Sequence, residues 1–117
     1  MDLIEALKES FNYSTNIDGP ILCHGFGGNL VIYNEIKRLS KSKELDEIIL
    51  NSIERIEEYY DDEYEFGYYN IENINGVRRR VNDPAFLDGA LGVLLVLIDF
   101  HLGSKTNWKV PLGIISI

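Results

Sequence analysis

The sequence predicts an all-α protein, a partial α/α barrel (toroid) with inner and outer helices. Apolar residues recur at helical spacing in four segments, which indicates four helices. A Gly-x-x-Gly pattern opens the second and fourth segments, which are apolar around most of their surface, and an amphipathic segment lies between them. This order of enclosed, wet-faced and enclosed helices suggests a barrel, and the recurrence of the glycines in register with the apolar pattern favours it over a plain bundle. We expect residues 1–117 to form a single domain.

The first helix is predicted at the N-terminus, where Glu5, Lys8 and Glu9 separate the apolar positions. The polar residues 12–16 and then Asp18-Gly19-Pro20 should end it. Its apolar residues are Leu3, Ile4, Leu7 and Phe11.

The second and third helices are separated by the short polar stretch Ser40-Lys41-Ser42. The second, from Leu30 to Leu39, is apolar on most of its surface. Ser42 is placed to cap the third helix, and carboxylates in its first turn favour the helix dipole. The third helix should bury one stripe and leave the other face in water, the stripe being Leu45, Ile48, Ile49, Ile53, Ile56 and Tyr60.

Residues 61–82 lack helical periodicity and contain several tyrosines. Asn75-Gly76 is a hairpin-turn signal, so a small two-stranded excursion and a long ordered loop fit this stretch equally well. Arg78-Arg79-Arg80 closes it, and we expect these arginines to pair with nearby acids rather than to bind phosphate. The acids are Asp61, Asp62, Glu63 and Glu65.

The fourth helix is predicted from Ala85 to about His101, with Asp83 as its cap and Pro84 in its first turn. Apolar side chains cover nearly its whole circumference, which predicts burial on all sides. The apolar tail, Trp108 to Ile117, should pack back against the helices.

The two glycine-rich segments align as an internal repeat, with Gly25 over Gly89 and Gly28 over Gly92. Helix packing explains glycines in both copies. It does not explain why the first copy has Cys23-His24 where the second has residues 87–88. The only cysteine of the chain and one of its two histidines are therefore the candidate functional residues.

Three kinds of site fit Cys23 and His24. Thiolate and imidazole are favoured zinc ligands, and a thiolate near a helix N-terminus is stabilised by the dipole. A nucleophilic cysteine with histidine as its base is less favoured, because adjacent side chains usually diverge and no third orienting residue is evident. A buried cysteine beside a surface histidine, without a chemical role, is the remaining alternative.

The motif Cys23-His24-Gly25-x-x-Gly28, followed by Phe86-Leu87-x-Gly89-x-x-Gly92 and a tryptophan-bearing tail, resembles the C-terminal part of the lanthionine synthetase C-like (LanC) family of lanthipeptide cyclases. The resemblance covers most of this chain but only the last part of a family member. It implies an α/α toroid with one zinc ion, held by the Cys-His pair and by a cysteine from an earlier segment.

The resemblance also implies a reaction. Zinc activates a cysteine thiol of a precursor peptide, which adds to dehydroalanine or dehydrobutyrine to form a thioether ring. Cys23 and His24 would then be two of three zinc ligands. No second cysteine exists in the 117 residues, and the family's acid and base residues belong to an earlier segment. His101, at the far end of its helix, is a poor third ligand.

Two functions follow as hypotheses. The first is a truncated or split LanC-like cyclase portion, inactive alone and dependent on a companion chain for the missing cysteine and acid. The second is a non-catalytic remnant or peptide- or protein-binding helical module, which forms a homo-oligomer to cover exposed core. Whether the chain is itself an enzyme stays open at this point.

Composition excludes several partners and compartments. The formal charge of −8 repels phosphate backbones and anionic membranes, so nucleic acid is not an expected partner. Ala90 to Ile98, the most apolar segment, is far shorter than the ~18 residues of a transmembrane helix. A single cysteine and an N-terminus without signal-peptide character predict a cytoplasmic protein.

Overall fold

A computed structural model describes residues 3–12, 17–103 and 108. This part of the chain is a small, mostly helical domain with four helices and a two-stranded antiparallel hairpin, so the all-α prediction is too narrow. The elements are α1 (Leu3–Asn12), α2 (Phe26–Ser40), α3 (Leu45–Glu57), β1 (Asn70–Ile74), β2 (Val77–Val81) and α4 (Ala90–Leu102).

Helix α2 lies at the centre of the described core, because it packs against α3 and also against α4. Leu30 and Val31 on α2 are essentially inaccessible to solvent, as are Val93 and Val96 on α4. The predicted wet-faced helix is confirmed, since α3 buries one side and exposes charged residues on the other. Its buried residues are Leu45, Ile48, Ile49, Ser52 and Ile56. The predicted stripe is wrong at Tyr60, because α3 ends at Glu57 and Tyr60 is 53% exposed.

The enclosure predicted for α4 is wrong for the described residues. Leu91, Leu94 and Ile98 are 48%, 43% and 49% exposed and follow helical spacing along one side, which we call the α4 apolar face. The helix packs chiefly against α2, which covers only the opposite side. Helix α2 is also less enclosed than predicted, because Ile32 is 50% exposed.

Helix α4 begins at Ala90, later than predicted, and Gly89 is its N-cap residue. Asp83 does not cap the helix with its carboxylate, which accepts the Ala85 N–H at 2.8 Å. Its carbonyl instead accepts the Ala90 N–H at 2.8 Å. Residues 86–88 therefore form a turn ahead of the helix, and Pro84 precedes that turn.

Ser42 is likewise not the cap of α3. Glu44 occupies the N-cap position and makes no side-chain capping bond. The Ser42 hydroxyl accepts the Glu44 N–H at 3.3 Å, which stabilises the turn before the helix.

The repeat seen in the sequence is also a repeat of structure. Before α2, the Phe26 N–H donates to the Gly19 carbonyl at 2.9 Å, just as Ala90 donates to Asp83 before α4. Gly25, like its counterpart in the second copy, is an N-cap residue with extended backbone. The two helices therefore begin with loops of the same construction.

Close approach of the backbone explains the repeated glycines. A Cβ atom at Gly25 would lie 2.5 Å from the Gly19 carbonyl oxygen. At Gly92 it would overlap the Phe86 carbonyl oxygen and lie 3.1 Å from Leu22 Cβ of the other loop. Only glycine lets each helix turn back over the loop that precedes it.

Gly92→Ala is expected to lower the free energy of unfolding by about 3 kcal/mol, since the new methyl group must displace backbone. Gly103→Ala is the control, because nothing lies within 4 Å of its Cβ position and only its left-handed backbone, with φ of 61°, opposes alanine. We expect about 1 kcal/mol for the control. Urea unfolding followed by circular dichroism measures both, and equal losses would contradict the close approach at Gly92.

Residues 70–81 form the hairpin, which settles the alternative left open by the sequence. Ile74 pairs with Val77 across a two-residue turn, and Asn75 and Gly76 have φ of 54° and 79°. Positive φ at both turn positions is the geometry for which Asn-Gly is favoured.

The hairpin is held to the helical part by arginines. The Arg78 guanidinium donates to the two Asp18 carboxylate oxygens at 2.6 and 2.8 Å. Arg80 lies 3.6 Å from the Asp61 carboxylate and over the Tyr69 ring, 4.5 Å from its centroid. Pairing with acids is thus confirmed for Arg80 and Asp61, whereas Arg78 pairs with an acid outside the predicted set.

The Arg78 guanidinium holds the pKa of Asp18 below its usual value; partial burial opposes this shift, and a hydrogen bond from the Tyr59 hydroxyl adds to it. A lowered native-state pKa means that the pair stabilises the fold above the unfolded-state pKa of about 4. This contribution is lost as the pH falls through the native-state pKa.

Arg78→Ala should therefore lose less stability than the wild type between about pH 7 and pH 3. Urea unfolding midpoints of both proteins across this range measure the difference. An identical pH dependence would show that the Asp18–Arg78 pair does not contribute.

Trp108 is the one described residue of the apolar tail. Its ring meets the edge of the Phe86 ring, with centroids 6.1 Å apart, and it packs against the core. The tail prediction is confirmed at this residue, and residues 109–117 lie outside the described part of the chain. Among the described residues, no helix has both the length and the apolar character needed to cross a membrane.

Candidate metal centre

The loop before α2 carries the Cys-His pair. Cys23 and His24 lie in the turn that precedes Gly25, the N-cap residue, and both side chains are exposed. The Cys23 N–H donates to the Leu87 carbonyl at 2.9 Å, which joins this loop to the equivalent loop before α4. The backbone of the second loop thus helps to fix the position of the cysteine.

A surface cavity of about 320 Å³ lies at the pair. Cys23 and His24 form part of its wall, together with glycines of the loop and the exposed side of α2. Through this cavity, the thiol of Cys23 and the imidazole of His24 can contact solvent and molecules that enter from solvent. Its remaining lining residues are Leu22, Gly25, Gly28, Asn29, Val31 and Ile32.

A third potential ligand comes from the other copy of the repeat. Asp88 lies in the turn before α4 and is exposed. The Cys23 sulfur, an imidazole nitrogen of His24 and a carboxylate oxygen of Asp88 all lie within 4.8 Å of one another. The two loops therefore bring three metal-ligating side chains to one point.

These three side chains fit a zinc ion. Zinc bonds of about 2.3 Å to sulfur and about 2.0 Å to nitrogen or oxygen place tetrahedral ligands about 3.3–3.6 Å apart. The observed separations of up to 4.8 Å exceed that spacing by up to about 1.5 Å, and the exposed side chains can rotate about their χ angles to close such a gap. Three protein ligands with a fourth position open are the usual arrangement of catalytic zinc.

The same trio also has the residue types of a thiol nucleophile, a base and an orienting carboxylate. The absence of a third residue was one reason to disfavour that chemistry from the sequence, and Asp88 removes that reason. The adjacency of Cys23 and His24 still opposes it, because neighbouring side chains seldom reach the required hydrogen-bond geometry.

His101 is distant along its helix from this cluster, as predicted. It lies in the last turn of α4, whereas Asp88 lies just before the first turn. Its ring instead meets the ring of Phe100, with centroids 5.0 Å apart.

Comparison with known protein families identifies one matching family model. The family model described as "Lanthionine synthetase C-like protein" matches residues 1–112. The chain belongs to the lanthionine synthetase C-like family. No curated protein matches it.

Family membership confirms the resemblance that the sequence motifs carried, while the position of this chain within the family fold stays a prediction. Asp88 is the candidate ligand that sequence reasoning missed. The signal was present, because the repeat places Asp88 in register with His24. Equivalent loops of neighbouring repeats meet in this structure, so equivalent positions become neighbours.

Proposed function

We propose that this LanC-like chain forms the zinc-binding portion of a peptide cyclase that makes lanthionine thioethers. The observation that carries the proposal is the exposed Cys23-His24 pair, fixed in a repeat loop beside a cavity within a LanC-like domain. We further propose that residues 1–117 form one domain and that α2, α3 and α4 are part of an α/α barrel.

Cys23 and His24 would hold the ion. The zinc would supply a lowered pKa for the thiol of a substrate cysteine. The sulfur of that cysteine then bonds to the β-carbon of dehydroalanine or dehydrobutyrine, and the carbon–carbon double bond becomes single. The α-carbon takes up one proton, which balances the proton lost by the thiol.

The chain's own contribution is position and access. The hydrogen bond from the Cys23 N–H to the Leu87 carbonyl fixes the backbone of the cysteine. Because both side chains are exposed, an ion held by them would be open to a peptide entering the cavity. The proton-donating acid, and a second thiolate ligand if the ion has one, would come from outside residues 1–117, which contain a single cysteine. We propose that a companion LanC-like chain supplies them and that a precursor peptide is the substrate.

The α4 apolar face supports a companion chain. Three exposed aliphatic side chains in one stripe are unfavourable in water, and covering them with apolar residues of a partner would stabilise the assembly. Ile32 on α2 adds a fourth half-exposed aliphatic residue on the wall of the Cys-His cavity.

A reconstitution assay tests the proposal. The zinc-loaded chain is mixed with a LanC-like chain that bears the missing cysteine and acid, and with a model peptide containing one cysteine and one dehydroalanine. Ring formation leaves the mass unchanged, so loss of the free thiol is followed by alkylation and mass spectrometry. We expect ring formation to be accelerated when both chains are present. We expect no acceleration with this chain alone or with a mixture in which it carries Cys23→Ala.

An uncatalysed rate with both chains folded and zinc bound would overturn the cyclase proposal. The α4 apolar face would then favour the second candidate, a non-catalytic peptide- or protein-binding module that forms a homo-oligomer. Zinc content separates these functions further. About one zinc per chain supports the cyclase portion, none supports the binding module, and about half supports one ion shared between two copies.

A further inference from the structure

We propose that the Asp88 carboxylate is the third protein ligand of the zinc site, so that this chain binds the ion without a second cysteine. The inference rests on the proposed function in one respect: Cys23 and His24 must hold zinc. It goes beyond that function because all three protein ligands come from one chain. Cys23 and His24 lie in one repeat loop, and Asp88 lies in the other.

The first argument is position. The atoms that would bind the metal lie within 4.8 Å of one another on all three side chains, although Asp88 is far from the pair in the sequence. The hydrogen bond from Cys23 to Leu87 couples the two loops at the residue next to Asp88. Leu22 of the first loop also lies close to Gly92 in the first turn of α4, since a Cβ atom added at Gly92 would be 3.1 Å from Leu22 Cβ.

The second argument is exposure. A carboxylate in an apolar core would have to lose its hydration before it met a metal, but Asp88, Cys23 and His24 are all exposed. The side chains can therefore exchange water for an ion without repacking the core. The loop backbone beneath them is held by hydrogen bonds, so the rearrangement is confined to side-chain torsions.

The third argument is charge. One thiolate and one carboxylate neutralise the two positive charges of zinc, as two thiolates would, while imidazole contributes none. A carboxylate is the harder donor and transfers less electron density than a thiolate. A site with Asp88 in place of a second cysteine would be equally neutral overall and would leave the zinc more electrophilic toward a substrate thiol.

Asp88 has one rival role, in which it orients His24 by accepting a hydrogen bond from the imidazole N–H that does not face the metal. Such second partners of a metal-binding histidine typically change affinity by about 10–100-fold. Affinity by itself does not separate the two roles. The number of protein ligands does, because it controls the coordination geometry.

The experiment uses the full chain and the variants Asp88→Asn, Asp88→Glu and Asp62→Asn. Asp88→Asn keeps the shape and a hydrogen-bond acceptor but removes the charged ligand, and Asp88→Glu keeps the carboxylate. Asp62→Asn removes the same charge from an exposed site in the α3–β1 segment and serves as the matched control. Circular dichroism confirms that each variant is folded.

Two measurements are made on each protein. Competition with a chromophoric chelator gives the zinc dissociation constant, and the absorption spectrum of the cobalt(II)-loaded protein gives the coordination geometry. Four-coordinate cobalt(II) absorbs far more strongly in the visible range than six-coordinate cobalt(II), so replacement of a protein ligand by additional water lowers the intensity.

We expect Asp88→Asn to weaken zinc binding by about a hundredfold or more and to lower the cobalt(II) intensity, because it removes a direct ligand. Asp88→Glu should recover most of the intensity, and Asp62→Asn should match the wild type. An Asp88→Asn protein with wild-type cobalt(II) intensity would overturn the inference, whatever its affinity. If the wild type and Cys23→Ala bind zinc equally, or neither binds it, the zinc site of the proposed function fails instead.

Discussion

Cys23→Ala is expected to weaken zinc binding by more than about a hundredfold, since loss of a partner outside the ligand set already costs about 10–100-fold. Cys23 supplies the only thiolate of the chain, and its removal leaves an imidazole and a carboxylate to hold the ion. The stoichiometry of purified protein should fall from about one zinc per chain to a trace. Elemental analysis and chelator competition measure both effects.

The control is His101→Ala, which removes the chain's other histidine, in the last turn of α4. Zinc content of this variant should equal that of the wild type. Because Cys23 is exposed and lies outside the helices, alanine at this position should leave the fold intact. Retention of one zinc by a folded Cys23→Ala protein would mean that the ion is held elsewhere.

Helix existence and the repeat were predictable because both depend on local pattern. Apolar spacing placed α1, α2 and α3, and the glycine register anticipated two loops that now prove alike in hydrogen bonding. The start of α4 was not predictable from Asp83 and Pro84. The capping signal was real, but Asp83 uses its side chain for a turn and its carbonyl for the helix start.

The burial of each helix was the least predictable property, because an apolar sequence pattern does not determine which other element covers the helix. Val93 and Leu94 are adjacent aliphatic residues on α4, yet the first is 0% exposed and the second 43%. The difference arises from contact with α2, a tertiary fact. Burial requires a partner surface, and the described residues offer α4 such a surface on only one side.

The candidate site, too, was only partly predictable from the sequence. Cys23 and His24 were identifiable because the second copy of the repeat has other residue types at the same positions. Asp88 occupied the matching position, but an exposed aspartate before a helix is so common that composition gave it no weight. What the structure adds is proximity: the backbone bond between the loops converts an alignment of positions into a cluster of ligand atoms.

Leu30→Ala should lower the free energy of unfolding by about 3 kcal/mol, within the range for buried leucine truncations. Leu30 on α2 is 0% exposed, and removal of its side chain leaves a cavity in the core that α2 forms with α3 and α4. Ile32→Ala on the same helix is the control. Its side chain is 50% exposed, so we expect a loss below about 1 kcal/mol.

The proposed zinc site is linked to this core prediction, because it lies on two loops whose spacing depends on packing between α2 and α4. Zinc at about a hundred times its dissociation constant stabilises the native state by about 2.7 kcal/mol. The folded Leu30→Ala protein should therefore recover most of its lost stability in zinc, whereas Cys23→Ala combined with Leu30→Ala should recover almost none. Urea unfolding with and without zinc gives both values. Equal recovery in the two proteins would show that zinc stabilises the fold from a site that does not include Cys23.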